Sequence, residues 1–150
     1  MNSAVTYSDK NERLWIDDFA PFVFGHVTRL SEAQGMKKSN AKKVEAIKHQ
    51  VDKFKFAYFI VDTSEIEECN ASAFAEYCNC SLCEQFKAGL EYVALLTPKN
   101  RATAKVLTEA IKSLSFRASI GMYENFERAL HHTTNLWSSH LGRAAHAPYR

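Results

Sequence analysis

The sequence has little of several features that would assign it to a particular class of protein. Its 150 residues include only five Gly and three Pro, too few for a loop-rich or disordered chain. Lys and Arg number 19 against 17 Asp and Glu, and this net charge of +2 does not predict nucleic-acid binding. The longest apolar runs, 56–61 and 92–96, are far too short for a membrane span. What remains is a globular domain, for which 46% hydrophobic residues supply a core.

Targeting and catalytic motifs are also missing. Residues 1–11 are polar and lack the apolar segment of a secretory signal, so we expect a cytoplasmic protein with reduced thiols. There is no Gly-rich phosphate loop and no Gly-x-Ser-x-Gly elbow. The neighbouring acids Glu67 and Glu68 are adjacent rather than opposed, which is typical of a solvated loop. We therefore predict no enzymatic activity, no catalytic residue and no cofactor.

The hydrophobic pattern predicts one α/β domain over residues 12–137, with a flexible arm at 1–11 and a flexible tail at 138–150. Strands are predicted at 12–18, 22–29, 56–61, 91–97 and 116–120. Helices are predicted at 39–54, 72–87, 100–114 and 123–137. The first two strands form a hairpin, and the alternation of strands and helices after residue 56 requires right-handed crossovers. The expected sheet is mixed, mostly parallel and of about five strands, with about four helices.

Three further details of the pattern bear on how these elements pack. In 22–29, one face carries Phe22, Phe24, His26 and Thr28, and the other carries Val23, Gly25, Val27 and Arg29. In helix 39–54 the apolar stripe is Val44, Ile47, Val51 and Phe54. The lysines around it are interpreted as a solvated face, with a basic patch for an acidic partner as the alternative: Lys38, Lys42, Lys43, Lys48 and Lys53. Gly121 is expected to break the last strand.

The segment VDTSEIEECNASAF, residues 61–74, resembles the central strand, loop and helix of STAS domains, the family of anti-sigma factor antagonists and SpoIIAA-like proteins. Asp62 matches the Asp that ends the family's apolar strand, and Asn70 falls where the loop has Asp. The segment FRASIGMYENFERAL, residues 116–130, is similar to the family's terminal strand and helix. The resemblance implies a SpoIIAA-like fold and a protein partner. It places the partner contacts on the loop and helix start: Glu67, Glu68, Cys69, Asn70, Ala71 and Ser72.

One departure from the family changes the expected mechanism. Ala71 stands where the family has its phosphorylated Ser, so the phosphoswitch is not carried over. Ser72 is one position further on, which turns a side chain by about 100° around a helix. Capping of the helix start by Asn70 or Ser72 is the simpler interpretation. The leading hypothesis is a non-enzymatic interaction or regulatory module, with an acidic loop that favours a basic protein partner.

Two other functions stay open from the sequence. SpoIIAA-like folds also look like the lipid-carrying Sec14 type, and aromatic side chains are available to line a pocket for a lipid or small molecule: Phe22, Phe24, Phe56, Tyr58 and Tyr92. A cysteine-dependent redox protein is the remote alternative, based on Cys69, Cys78, Cys80 and Cys83. Three of these thiols fall in one predicted helix, where a tetrahedral zinc site would need a break, so no metal is predicted.

The remaining expectations concern histidines and self-association. His131, His132 and His140 are predicted at the surface or in the tail, whereas His26, within a strand, is predicted to be buried or to line a pocket. A homodimer through an edge strand or the last helix is a further expectation. For that interface the exposed apolar candidates are Leu136, Trp137 and Leu141.

Overall fold

The computed structural model describes residues 4–30, 33–68, 74–75 and 78–146 of the chain. The strands are β1 (Ala4–Ser8), β2 (Glu12–Ile16), β3 (Phe22–Val27), β4 (Ala57–Asp62), β5 (Leu90–Leu96) and β6 (Ile120–Tyr123). The helices are α1 (Ala33–Phe54), α2 (Cys83–Lys87), α3 (Arg101–Lys112) and α4 (Phe126–His146). A π-helical turn, Cys78–Leu82, precedes α2, and a 3-10 turn, Arg117–Ser119, precedes β6.

The six strands lie in the sheet in their order along the chain. β1, β2 and β3 are antiparallel neighbours, whereas β3, β4, β5 and β6 are parallel. In the parallel part of the sheet, each new strand is added on the same side of the previous one. Crossover connections of one hand therefore place α1, α2 and α3 on a single face of the sheet. The last helix, α4, covers the opposite face. The predicted mixed α/β sheet is confirmed, with six strands instead of about five.

Both segments predicted to be flexible at the chain ends contain regular structure. β1 falls within the predicted arm and pairs with β2, where the Thr6 hydroxyl also donates to the Leu14 carbonyl at 3.1 Å. α4 does not end at Trp137 but continues to His146. The reason is a long-range contact, since the His140 ring stacks on those of Phe56 and Tyr58 at centroid distances of 5.6 and 5.7 Å.

The sheet has one hydrophobic core on each face. Val23 and Val27 point to the α1 side, and Phe22 and Phe24 point to the α4 side, as the alternation along β3 predicts. The core on the α1 side is mostly aliphatic. The core on the α4 side is strongly aromatic and includes Tyr58, which is fully buried.

Helix α1 buries polar side chains on the face that packs against the sheet. Lys43, predicted on a solvated face, is only 2% exposed, and its Nζ lies 2.8 Å from the Glu12 carboxylate of β2. Gln50 is fully buried, with its Nε2 2.9 to 3.0 Å from three backbone carbonyl oxygens of the β2–β3 turn and β3. Lys43 and Gln50 are four residues before and three residues after Ile47, so they belong to the same helical stripe.

The last strand is also displaced from its predicted position. Residues 117–119 form the 3-10 turn, and Gly121 lies inside β6 rather than breaking it. A Cβ atom at Gly121 would lie 1.7 Å from the Tyr92 hydroxyl and 2.6 Å from that of Tyr123. Those hydroxyls are hydrogen-bonded to each other at 2.7 Å, so a side chain at Gly121 would have to displace them.

The predicted helix 72–87 is not one regular helix in the described residues. The π-helical turn at Cys78–Leu82 interrupts it, and α2 begins at Cys83. Gly89, with φ of +116°, lies just after α2, where the sequence predicts a stop. Phe74 and Leu82 are buried as the predicted stripe requires, at 2% and 5% exposure.

Candidate functional site

The carboxyl ends of the four parallel strands meet at one edge of the sheet, which we call the carboxyl edge. Its strands end at Val27, Asp62, Leu96 and Tyr123. Ligands of open α/β sheets bind at this kind of edge, because loops and helix starts converge there. The chain leaves β4 through residues 63–68, which we call the acidic loop, and α4 begins near the same edge at Phe126.

The start of the acidic loop is fixed to the sheet by hydrogen bonds. The Ser64 N–H donates to Asp62 Oδ1 at 2.9 Å, so the acid that ends β4 closes a tight turn. The Thr63 hydroxyl and its backbone N–H both donate to the Leu96 carbonyl, at 2.5 and 3.2 Å. Lys99 adds a backbone N–H bond to the Ser64 carbonyl at 3.0 Å. The first turn of the loop is therefore tied to the end of β5.

A core contact and a hydrogen bond hold the second half of the acidic loop in place. Ile66 is 1% exposed and belongs to the core on the α1 side. The hydroxyl of Thr103, in α3, donates to the Glu67 carbonyl at 2.5 Å. With its backbone fixed in this way, the loop presents Glu65, Glu67 and Glu68 as exposed side chains. Three carboxylates thus face solvent from a preorganised segment.

A broad depression of about 570 Å³ lies beside the loop. It is lined by the loop and by the residues that precede α3: Ser64, Glu65, Ile66, Glu67, Glu68, Lys99 and Asn100. Asn100 caps α3, with its side-chain oxygen accepting from the Thr103 N–H at 3.1 Å. Among the described lining residues, Lys99 is the single basic residue against three acids, so this part of the depression carries a net negative charge.

A second opening, of about 330 Å³, lies on the α4 face at the ends of β3 and β4. We call it the aromatic–acidic groove, and its residues are Trp15, Phe24, Gly25, His26, Ile60, Asp62, Glu65 and Phe126. His26 Nε2 pairs with the Glu65 carboxylate, which joins β3 to the acidic loop. Glu65 lines both openings, so they form one continuous acidic surface.

The structure places part of the predicted partner-binding set. Glu67 and Glu68 lie at the carboxyl edge and are exposed. The other four predicted residues, Cys69, Asn70, Ala71 and Ser72, lie outside the described residues. Trp15 and Phe126 are groove residues that the sequence analysis does not single out. Trp15 and Phe126 lie far apart in the sequence, so no local sequence pattern indicates that they meet in one groove. His26, predicted to be buried or to line a pocket, does line the groove.

The five aromatic residues predicted to line a ligand pocket belong mainly to the core. Phe22 and Tyr58 are buried on the α4 side at 5% and 0% exposure, and among the five only Phe24 lines the groove. On the α1 side the described residues enclose a cavity of about 30 Å³. That is room for roughly two water molecules, far below the several hundred Å³ of a typical small-molecule site.

Tyrosine hydroxyls near the core are kept in their protonated form. Burial raises the pKa of Tyr58, and its hydroxyl bonds to His140 Nδ1. Burial also raises the pKa values of Tyr92 and Tyr123, and their mutual hydrogen bond raises that of Tyr123 further. A phenol whose pKa is raised is a poor general base or nucleophile at neutral pH, so these groups act as structural donors.

The cysteine and histidine side chains are the groups that metal or redox chemistry would use. Cys80 is exposed and Cys83 is half-buried, and both are free thiols. Among the residues that the structure describes, no group of three or more His, Cys, Asp or Glu side chains is placed to hold a metal ion. His131 and His132 are exposed as predicted, but His140 is half-buried in its bond to Tyr58. Within the described ranges no helix is both long and apolar enough to cross a membrane.

Comparison of the chain with protein-family models, with curated proteins and with solved structures gave no match in any of the three. The resemblance to STAS domains therefore stays a prediction from the sequence.

Proposed function

We propose that this chain is a non-enzymatic protein-interaction module of the STAS-like kind, and that it binds a basic partner through the acidic loop at its carboxyl edge. The observation that carries the proposal is the construction of that loop. Its backbone is anchored by the buried Ile66 and by the Thr103 bond, while Glu67 and Glu68 extend into solvent. A loop that is already ordered loses little conformational entropy when it binds, which favours recognition.

The charge of the loop indicates the chemistry of the partner. Lys99 is the one cation among the described residues that line the depression, and Glu65, Glu67 and Glu68 outnumber it. A negative patch attracts positively charged surfaces and suppresses negatively charged ones, so it sets both the association rate and the choice of partner. A protein surface rich in Lys and Arg is the complement.

Two elements support the STAS-like part of the proposal. β4 ends at Asp62, as the family's central strand ends in Asp, and the loop follows directly. β6 is followed by α4, whose first residues include Glu127, Ala129 and Leu130, the positions of the family's helix signature. Without a hydroxyl at Ala71, the proposed module binds its partner with no serine phosphoswitch at that position.

The test is an affinity capture from a lysate of the source organism, with charge-reversal variants of exposed acids. Glu67→Lys combined with Glu68→Lys reverses the proposed surface. The matched control is Glu45→Lys combined with Asp52→Lys on α1, which makes the same change of charge away from the carboxyl edge. We expect a protein that wild type and control retain and that the loop variant loses.

Two results would contradict this function. One is a captured protein that binds the loop variant as well as it binds wild type. The other is the absence of any protein retained by both wild type and control. The capture should also weaken as the salt concentration rises, because exposed charges are screened beyond about 10 Å at 0.1 M salt.

A further inference from the structure

Three aromatic rings, those of Trp15, Phe24 and Phe126, line the aromatic–acidic groove. The rings of Trp15 and Phe24 are stacked, with centroids 5.7 Å apart, and Phe126 lies 6.1 Å from Phe24. Phe126 is 44% exposed, although it is a large apolar side chain. Aromatic faces attract a guanidinium or ammonium group placed within about 6 Å, and they also cover the methylene stem that carries it.

Two carboxylates, those of Asp62 and Glu65, also line the groove. Asp62 uses Oδ1 to accept the Ser64 N–H, and Glu65 pairs with His26 while its side chain stays 53% exposed. Of the residues that the structure describes, no Lys or Arg lines this groove. Within the part of the chain that the structure describes, the two carboxylates of the groove pair with no Lys or Arg.

We propose that the aromatic–acidic groove binds an arginine side chain of the protein partner, with its stem against Phe24 and Phe126 and its guanidinium toward Asp62 and Glu65. This inference rests on the proposed function, because Glu65 is shared between the groove and the depression beside the loop. The partner's basic surface would then cover the loop while one arginine enters the groove.

Size and shape favour arginine as the occupant. An opening of about 330 Å³ is at the lower end of the range for small-molecule sites, so it suits one long side chain rather than a folded segment. A planar guanidinium stacks on rings and bonds a carboxylate with two N–H groups, which an ammonium does not. Arg13 illustrates the contact, since its guanidinium carbon lies 5.4 Å from the Trp15 ring centre, although Arg13 does not line the groove.

The experiment is a titration of the isotope-labelled protein, followed by two-dimensional amide NMR, with Nα-acetyl-arginine methylamide as the probe. The matched probe is the citrulline analogue, which has nearly the same shape and no charge. We expect saturable shifts of the Trp15 indole N–H and of the Gly25 and His26 amides with arginine, and no such shifts with citrulline. Asp62→Asn should weaken arginine binding about fivefold, as loss of a partly exposed ion pair predicts.

Control variants separate binding in the groove from general charge effects. Asp52→Asn on α1 removes one exposed acid elsewhere and should leave the affinity unchanged. Phe126→Ala should weaken arginine binding without loss of the fold, because the Phe126 ring is partly exposed. Equal shifts with arginine and citrulline, or equal affinity for wild type and Asp62→Asn, would overturn the proposal.

The same variants distinguish failure of this inference from failure of the proposed function. A partner that requires Glu67 and Glu68 but binds Asp62→Asn and Phe126→Ala normally would leave the interaction module standing and overturn the arginine groove. Specific binding of the arginine probe without any loop-dependent partner would support the groove's chemistry and contradict the proposed function.

Discussion

The buried ion pair between Lys43 of α1 and Glu12 of β2 offers the sharpest test of how this fold is held together. Its two charged atoms are 2.8 Å apart, and the side chains are only 2% and 5% exposed. Lys43→Met would leave the Glu12 carboxylate buried without its cation. Breaking a buried pair in this way costs about 3–5 kcal/mol, a large part of the 5–15 kcal/mol that stabilises a typical domain.

Removing both charges should cost much less than removing one. In the double variant Glu12→Gln, Lys43→Met no uncompensated charge is buried, so we expect a loss of about 1 kcal/mol, far below the sum of the two single-variant losses. Urea denaturation followed by the fluorescence of Trp15 and Trp137 measures all four proteins of the cycle. If a single variant fails to fold, recovery of folding in the double variant is itself the expected result.

The matched control is a surface pair on the same helix. Lys42 and Glu45 are 3.6 Å apart with side chains 43% and 73% exposed, so water screens their attraction. Their coupling energy should stay at or below about 0.5 kcal/mol. A coupling near zero for Lys43 and Glu12, or equal coupling for the two pairs, would refute the argument that burial makes the first pair important.

Two further predictions concern the sheet edges. Gly121→Ala should destabilise the protein by about 2 kcal/mol, because the added Cβ would lie 1.7 Å from the Tyr92 hydroxyl. The same substitution should cost less stability in a Tyr92→Phe background, where that hydroxyl is absent. Equal losses of stability in the two backgrounds, measured by thermal unfolding, would contradict this explanation. Burial alone would raise the pKa of Asp9, but its hydrogen bonds, led by the one from the Tyr7 hydroxyl, hold that pKa below its ordinary value of 3.8. The ionised Asp9 therefore stabilises the fold above pH 3.8, and this contribution is lost as the pH falls below 3.8. Asp9→Asn should therefore lose less stability than wild type between about pH 5 and pH 2, and identical acid dependence in urea titrations would count against the assignment.

Much of the architecture follows from local patterns. The alternation in β3 correctly predicts that Phe22 and Phe24 face one core while Val23 and Val27 face the other. Helical spacing and turn residues correctly place Ile47 on the buried face of α1, predict the start of α3 to within one residue at Asn100, and predict the stop at Gly89. These features are fixed by residues within a few positions of one another, so one sequence is enough to reveal them.

The candidate site was predicted less completely. The acidic loop is visible in the sequence because Glu65, Glu67 and Glu68 follow an apolar strand. The groove beside it is not, since Trp15 and Phe126 are more than a hundred residues apart and become neighbours of Phe24 only when β2, β3 and α4 pack together. The site residues that sequence reasoning missed therefore come from elements joined by long-range packing.

The sequence by itself determined the α/β class, the hairpin, the two faces of β3 and the acidic loop after β4, because each depends on spacing along a few residues. Only the tertiary structure decided that Lys43 is buried against Glu12, that Gly121 lies against the Tyr92 hydroxyl and that α4 continues as far as His146. In each of these cases the deciding partner lies far away in the chain. Burial and steric contact are properties of the assembled sheet, and no local pattern contains them.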